Sequence, residues 1–171
     1  DLADPRGQAL VRALALKADI LVENFKPGDL DRYGLDYAQL SAGNPRLIYC
    51  SITGLGLTGP HAGRAGYDFL IQGMGGLMSV TGKPDGEPGG GPVKVGVALT
   101  DILTGLYAST SILAALQARE HTGRGQHIDL ALLDVQVACL ANQGMNFLYS
   151  GKLPQRMGNA HPNTCPLYPS D

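Results

Sequence analysis

Short β-branched runs separated by helical patterns constrain this chain more than any other feature. Ile20-Leu21-Val22, Leu47 to Thr53 and Gln126 to Ala131 are brief, apolar and bounded by turn residues, so each reads as a buried strand. Between them the spacing turns helical. Asp4-Pro5 is an N-cap with proline at the first helical position, and Leu10, Ala13, Leu14 and Lys17 follow at helical intervals. Further helices are expected over Asp29 to Tyr33, after Asp36, from Tyr67 to Met78, from Asp101 to Glu120 and from Asp134 to Tyr149. Strands alternating with helices predict an α/β fold with a parallel or mixed sheet.

Glycine and proline mark the connections. Asn24-Phe25-Lys26-Pro27-Gly28, Asn44-Pro45 and His121 to Gly125 read as turns or loops, and Gly54 to Gly66 as a glycine-rich loop. Gly82 to Pro92 has no periodicity and reads as a long surface loop. The chain opens on Asp1 directly before a helix signal and stops in Pro169-Ser170-Asp171, so an internal piece of a longer protein is expected. Residues 1–150 read as part of one α/β domain and 151–171 as a linker.

Composition narrows the function classes. A length of 171 residues allows one domain with a core. Charged residues make up 16%, below the ~25% usual for a globular chain, which fits extensive buried surface or a piece of a larger assembly. A net charge of -2 offers no electrostatic basis for binding nucleic acid. Cys50, Cys139 and Cys165 share no ligand or disulfide spacing and read as reduced thiols of a cytoplasmic protein. The apolar stretch after Asp101 is interrupted by Thr104, Gly105, Thr110 and Ser111, so no membrane span is expected. His61, His121, His127 and His161 show no metal-ligand spacing, and none of GxSxG, P-loop or HExxH occurs.

Three constellations carry chemistry. In Lys94-Val95-Gly96-Val97-Ala98-Leu99-Thr100-Asp101 a β-branched run ends in small residues and a carboxylate sits where a long helix begins, which reads as a strand-to-helix corner. Orphan backbone amides and the helix dipole favour a charged carboxylate there, as a nucleophile or simply as an N-cap. Asn24, Phe25 and Lys26, followed by Arg32 and Tyr33, put aromatic rings and cations at the end of the first strand. They could stack on a purine and meet phosphates, or form an ordinary polar turn. Gly54-Leu55-Gly56-Leu57-Thr58-Gly59 matches GxGxxG after a strand, but no helix follows it directly and no acidic strand end lies about 20 residues on. A dinucleotide site is therefore not expected. Asp134 reads as an N-cap, and His161 lies in a polar loop able to line a cleft.

These segments together resemble the class III CoA-transferases, the CaiB/BaiF family. The resemblance rests on Val22 to Gly28, Asn44 to Tyr49, Thr53 to Gly56, Gly59-Pro60, Arg64-Ala65-Gly66-Tyr67-Asp68, Gly75 to Met78, Gly96 to Asp101 and Thr122 to Gln126. Gln136 to Leu140 and Gly158-Asn159-Ala160-His161 look most like its dicarboxylate-handling members of the succinyl-CoA:glutarate type. The resemblance implies a Rossmann-like CoA-binding large domain, here incomplete, and an interlocked homodimer. It implies CoA transfer from an acyl-CoA to a carboxylic acid through mixed anhydrides and an aspartyl-CoA thioester on Asp101. No resident cofactor is implied. Asn24, Phe25, Lys26, Arg32 and Tyr33 fall where the family holds the CoA nucleotide; Gly66, Tyr67 and His161 would shape the acyl site. The related acyl-CoA racemases carry a histidine where Tyr67 stands, and a phenol with a pKa near ~10 is a poor base at neutral pH. Transfer is thus expected over racemisation, the alternatives being a racemase or a non-catalytic binding piece. The cytoplasm is the expected compartment, or the mitochondrion in a eukaryote.

Overall fold

A computed structural model describes residues 1–164. Its elements are α1 (Pro5–Ala15), β1 (Ile20–Glu23), a 3-10 turn (Asp31–Tyr33), α2 (Tyr37–Gly43), β2 (Ile48–Thr53), α3 (Asp68–Met74), α4 (Leu77–Val80), α5 (Leu99–Thr122), β3 (His127–Ala131), α6 (Leu132–Ala138) and α7 (Ala141–Ser150). Residues 151–164 hold no regular element, and Cys165 and the rest of the expected linker lie outside the described residues.

The three strands form a parallel sheet in the order β1-β2-β3. Central β2 pairs Ile48 to Ser51 with Ile20 to Glu23 on one side and Tyr49 to Thr53 with His127 to Ala131 on the other. Parallel pairing makes all three strands end at the same edge, where α/β proteins build their sites.

Asp4 caps α1 through Arg6 N–H at 2.8 Å, and Asp36 caps α2 through Gln39 N–H at 3.1 Å, as the local sequence requires. Ala15, Leu30, Leu35, Leu40, Leu47 and Tyr49 form the core beneath them, the Tyr49 hydroxyl donating to Leu35 O at 3.0 Å.

The long helix α5 packs along β2, β3, α3 and α6. It buries Thr100, Thr104, Ala108, Ala115 and Arg119, a slim stripe that lets it lie close to the sheet. By length and a mean hydropathy of 1.4 it is also apolar enough to cross a membrane. Here its buried stripe is committed to the sheet, and Arg119 anchors its end through Asp19 at 2.9 Å and Arg46 O at 3.0 Å. Gly123, at φ 71°, terminates it in the left-handed conformation that a glycine adopts without steric cost.

The expected elements differ from the structure at several points: the helix expected over Asp29 to Tyr33 is a 3-10 turn from Asp31 to Tyr33, and α5 begins at Leu99, two residues before Asp101. No strand precedes Asp101: residues 93–98 are irregular, their β-branched run being held by α3 instead of a neighbouring strand. The expected helix from Tyr67 to Met78 divides into α3 and α4 because Gly75 ends the first and Gly76, at φ 86°, cannot continue it. The expected helix from Asp134 to Tyr149 starts earlier, at Leu132, and divides at Ala141, a non-glycine residue at φ 47°. Asp134 is accordingly inside the first turn of α6 and is not its N-cap, which is Ala131.

Leu47 is fully buried where the chain enters β2. Leu47→Ala is expected to destabilise the fold by about 2–5 kcal/mol through the cavity it leaves, read as a lower denaturant midpoint with an unchanged slope.

Candidate active site

At the carboxyl edge of the sheet a cleft of about 560 Å³ opens between the end of β1, the end of β2 and the first turns of α5. Three segments wall it. Asn24, Phe25 and Lys26 continue from β1; Arg64, Gly66 and Tyr67 come from the loop before α3; Asp101, Thr104 and Gly105 face it from α5. Residues more than 75 positions apart in sequence thus share one cavity because parallel strands deliver them to one edge.

Two glycines let the walls meet. Gly54 follows β2 directly and lies against Gly66, such that a Cβ on Gly54 would fall 2.5 Å from the Gly66 Cα, and one on Gly66 would fall 2.8 Å from the Gly54 Cα. The glycine-rich loop between them is pinned to the sheet by Leu57 N–H, which donates to Asp129 at 3.1 and 3.2 Å. No helix starts within it, so it lacks the helix N-terminus on which a GxGxxG loop holds a pyrophosphate.

Asp101 is not the N-cap of α5. Ala98 holds that position and offers no side-chain bond. The cap comes from another helix: Asp68 Oδ1 accepts the Thr100 N–H at 2.8 Å and the Asp101 N–H at 3.3 Å. Asp101 sits within the first turn of α5, on the cleft wall. Partial burial first, and the Asp68 charge second, push its carboxyl above the usual carboxylate value. The helix dipole expected to hold it down is opposed because Asp68 already occupies the amides that would do so.

The structure brings together six of the expected site residues: Asn24, Phe25, Lys26, Gly66, Tyr67 and Asp101 all line the cleft. Phe25 and Tyr67 are exposed aromatics at its mouth, the latter 74% accessible. Arg32 and Tyr33 do not line it. They occupy the neighbouring 3-10 turn, where the Arg32 guanidinium lies 4.7 Å over the Tyr33 ring and bonds Asp29 O at 3.3 Å. His161 is also outside: its Nδ1 accepts the backbone N–H groups of Asn163 and Thr164 at 3.1 and 3.0 Å, an exposed turn closed on itself.

Sequence reasoning passed over Arg64 as a site residue, although it stands in the Arg64-Ala65-Gly66-Tyr67-Asp68 motif and gives the cleft a second cation. It also missed Thr104 and Gly105, one helical turn beyond Asp101 and recoverable from i, i+3 and i, i+4 spacing. Cys50 and Cys139 are free thiols whose pKa values are raised by burial, which makes them poor nucleophiles. Among the described residues no group of three His, Cys, Asp or Glu side chains is placed to hold a metal ion.

This α/β architecture and its cleft have close counterparts. The profile of CoA-transferase family III matches residues 1–169, and the chain belongs to that family. A succinate–glutarate CoA-transferase of Agrobacterium fabrum is 58% identical over 166 residues, which is 97% of this chain and 40% of the relative. A succinyl-CoA:glutarate CoA-transferase of Mus musculus is 46% identical, covering 97% of this chain and 37% of the relative. The crystal structure of a CaiB/BaiF family protein from Brucella suis superposes with a TM-score of 0.90 at 60% identity, covering 97% of this chain and 43% of that one. The chain therefore spans about two-fifths of the length of these relatives.

The Gly54–Gly66 contact can be tested directly. Gly66→Ala is expected to cost about 1–3 kcal/mol by overpacking, seen as a lower thermal midpoint. Gly63→Ala, with nothing within 4 Å of the added carbon, is expected to leave that midpoint unchanged.

Proposed function

We propose that this chain is the part of a CoA-transferase that carries its nucleophile, Asp101, and one wall of its CoA site. The observation that carries the reading is a cleft-lining aspartate at the first turn of α5, facing an aromatic and cationic loop at the end of β1. Membership of CoA-transferase family III supports it.

The reaction follows from the chemistry of a carboxylate. The Asp101 oxygen attacks the thioester carbonyl of the donor, the C–S bond breaks, and CoA leaves as its thiolate, with a mixed anhydride of Asp101 and the donor acid remaining. The thiolate attacks the aspartyl carbonyl of that anhydride, releasing the donor acid and leaving an aspartyl-CoA thioester. The acceptor carboxylate attacks the aspartyl carbonyl, expels the thiolate and forms a second anhydride. Attack of the thiolate on the acceptor's carbonyl then frees Asp101 and the new acyl-CoA. One difficult exchange becomes four acyl transfers between activated species.

The other cleft residues divide the remaining work. Phe25 offers a face for an adenine and Lys26 a charge for a phosphate, while Arg64 and the Gly66 backbone can meet charge developing on the acyl oxygen. Tyr67 shapes the acyl side. No histidine is present among the described residues lining the cleft, which favours transfer over α-proton abstraction. The Agrobacterium and mouse relatives are named for glutarate, and a dicarboxylic acceptor is the substrate class we infer.

We also infer a homodimer from the family resemblance; Ile102, Leu106 and Leu113 on α5 and Leu148 and Tyr149 on α7 are exposed, apolar surface for a second copy or the rest of a longer chain to cover. The free thiols are in keeping with a reducing compartment, the cytoplasm.

In the full-length protein, Asp101→Ala is expected to lower CoA exchange between an acyl-CoA and a dicarboxylic acid by at least about 10³-fold. Wild-type turnover in that variant would refute the reading. Lys26→Ala is expected to raise KM for acyl-CoA about tenfold, the loss of one charge-assisted phosphate contact, with little change in kcat.

A further inference from the structure

Asp68 holds the segment carrying Asp101 from a different helix. It is the first residue of α3, and Oδ1 takes the Thr100 and Asp101 amides while Oδ2 accepts from Gln72 Nε2 at 2.7 Å. Gln72, one turn further and fully buried, continues the same grip. Its Oε1 accepts the Val95 N–H at 2.9 Å and its Nε2 donates to Val97 O at 3.3 Å. Two side chains of one short helix therefore hold the irregular approach to α5 and the backbone of Asp101 itself. From the other side, the Thr100 hydroxyl donates to Gln136 Oε1 of α6 at 2.6 Å.

We propose that Asp68 is a positioning residue for acyl transfer, fixing the Asp101 backbone relative to the Gly66-Tyr67 wall of the cleft. The inference rests on Asp101 being the nucleophile. A cap drawn from the neighbouring sequence would stabilise α5 equally well but would leave the two walls independent. Asp68 follows Tyr67 directly, so the residue on the acyl side and the residue that attacks are tied through one carboxylate. That tie carries an electrostatic cost. Asp68 removes two amides from the service of the Asp101 carboxylate and adds a like charge beside it, which a purely structural neutral cap would avoid. The other titratable groups lining the cleft are Glu23 and Lys26 at the end of β1 and Arg64 and Tyr67 before α3, while α6 contributes Leu132.

The test compares Asp68→Ala, Asp68→Asn and Asp101→Ala in the full-length protein. Asp68→Ala is expected to lower kcat about 10- to 100-fold, the range that misplacement by about 1 Å commands, with KM for acyl-CoA near the wild-type value. The acid limb of kcat/KM is expected to move to lower pH, because a neighbouring negative charge no longer opposes ionisation of Asp101. Asp68→Asn keeps an oxygen for the two α5 amides but sets an amide against Gln72. It is expected to recover part of kcat and to show the same displaced limb, and it carries the test if the alanine variant fails to fold. A lower thermal midpoint with unchanged kcat and an unmoved acid limb would overturn the proposal, leaving Asp68 a structural cap. Full activity of Asp101→Ala would instead overturn the functional reading beneath it.

Discussion

Hydrogen bonding of β2 on both sides is the constraint on which everything else depends. Its parallel partners fix which residues end together, with Glu23 level with Ser51 and Ala131 level with Thr53. Parallel strands need crossovers, and here the crossover from β2 to β3 contains α3 and α5. The cleft walls are thus the segments that leave the strand ends and those that return to them. Burial of β2 is also what demands small residues on the inner stripe of α5, and that stripe sets how close Asp101 approaches the strand ends.

The electrostatics of Asp101 are a competition. The helix N-terminus favours its charge, typically by about 0.3–1 kcal/mol at a surface. Partial desolvation at the cleft wall and the Asp68 carboxylate act in the other direction, raising its pKa. On the proposed reading this suits the role, since a carboxylate with a raised pKa is the more nucleophilic one once ionised. Lys26 and Arg64 line the same cleft and bring positive charge to it.

The strands, α1, α2 and α5 were legible because each is written in local chemistry: Asp4-Pro5, Asp36, the apolar runs, Gly123. The loop at Asn24 to Lys26 was legible because it follows a strand directly. What escaped was set by contacts distant in sequence. The Val95 and Val97 backbone has strand-like composition, yet its partner is Gln72, which no local pattern announces. Asp101 looked like a cap because the true cap lies 33 residues earlier, at Asp68. Arg32 and Tyr33 pair with each other within the 3-10 turn and His161 closes its own loop, local contacts that leave all three off the cleft lining. The break at Ala141 has no glycine or proline to mark it.

The central claim is that acyl and CoA groups pass through the Asp101 carboxylate. The most direct measurement incubates the full-length protein with an acyl-CoA donor, traps the enzyme with hydroxylamine or borohydride and locates the modified residue by peptide mass spectrometry. The account predicts modification confined to the peptide bearing Asp101, dependent on the donor and discharged by a carboxylic acceptor added before the trap. Modification at another residue, or donor-independent labelling, would contradict it.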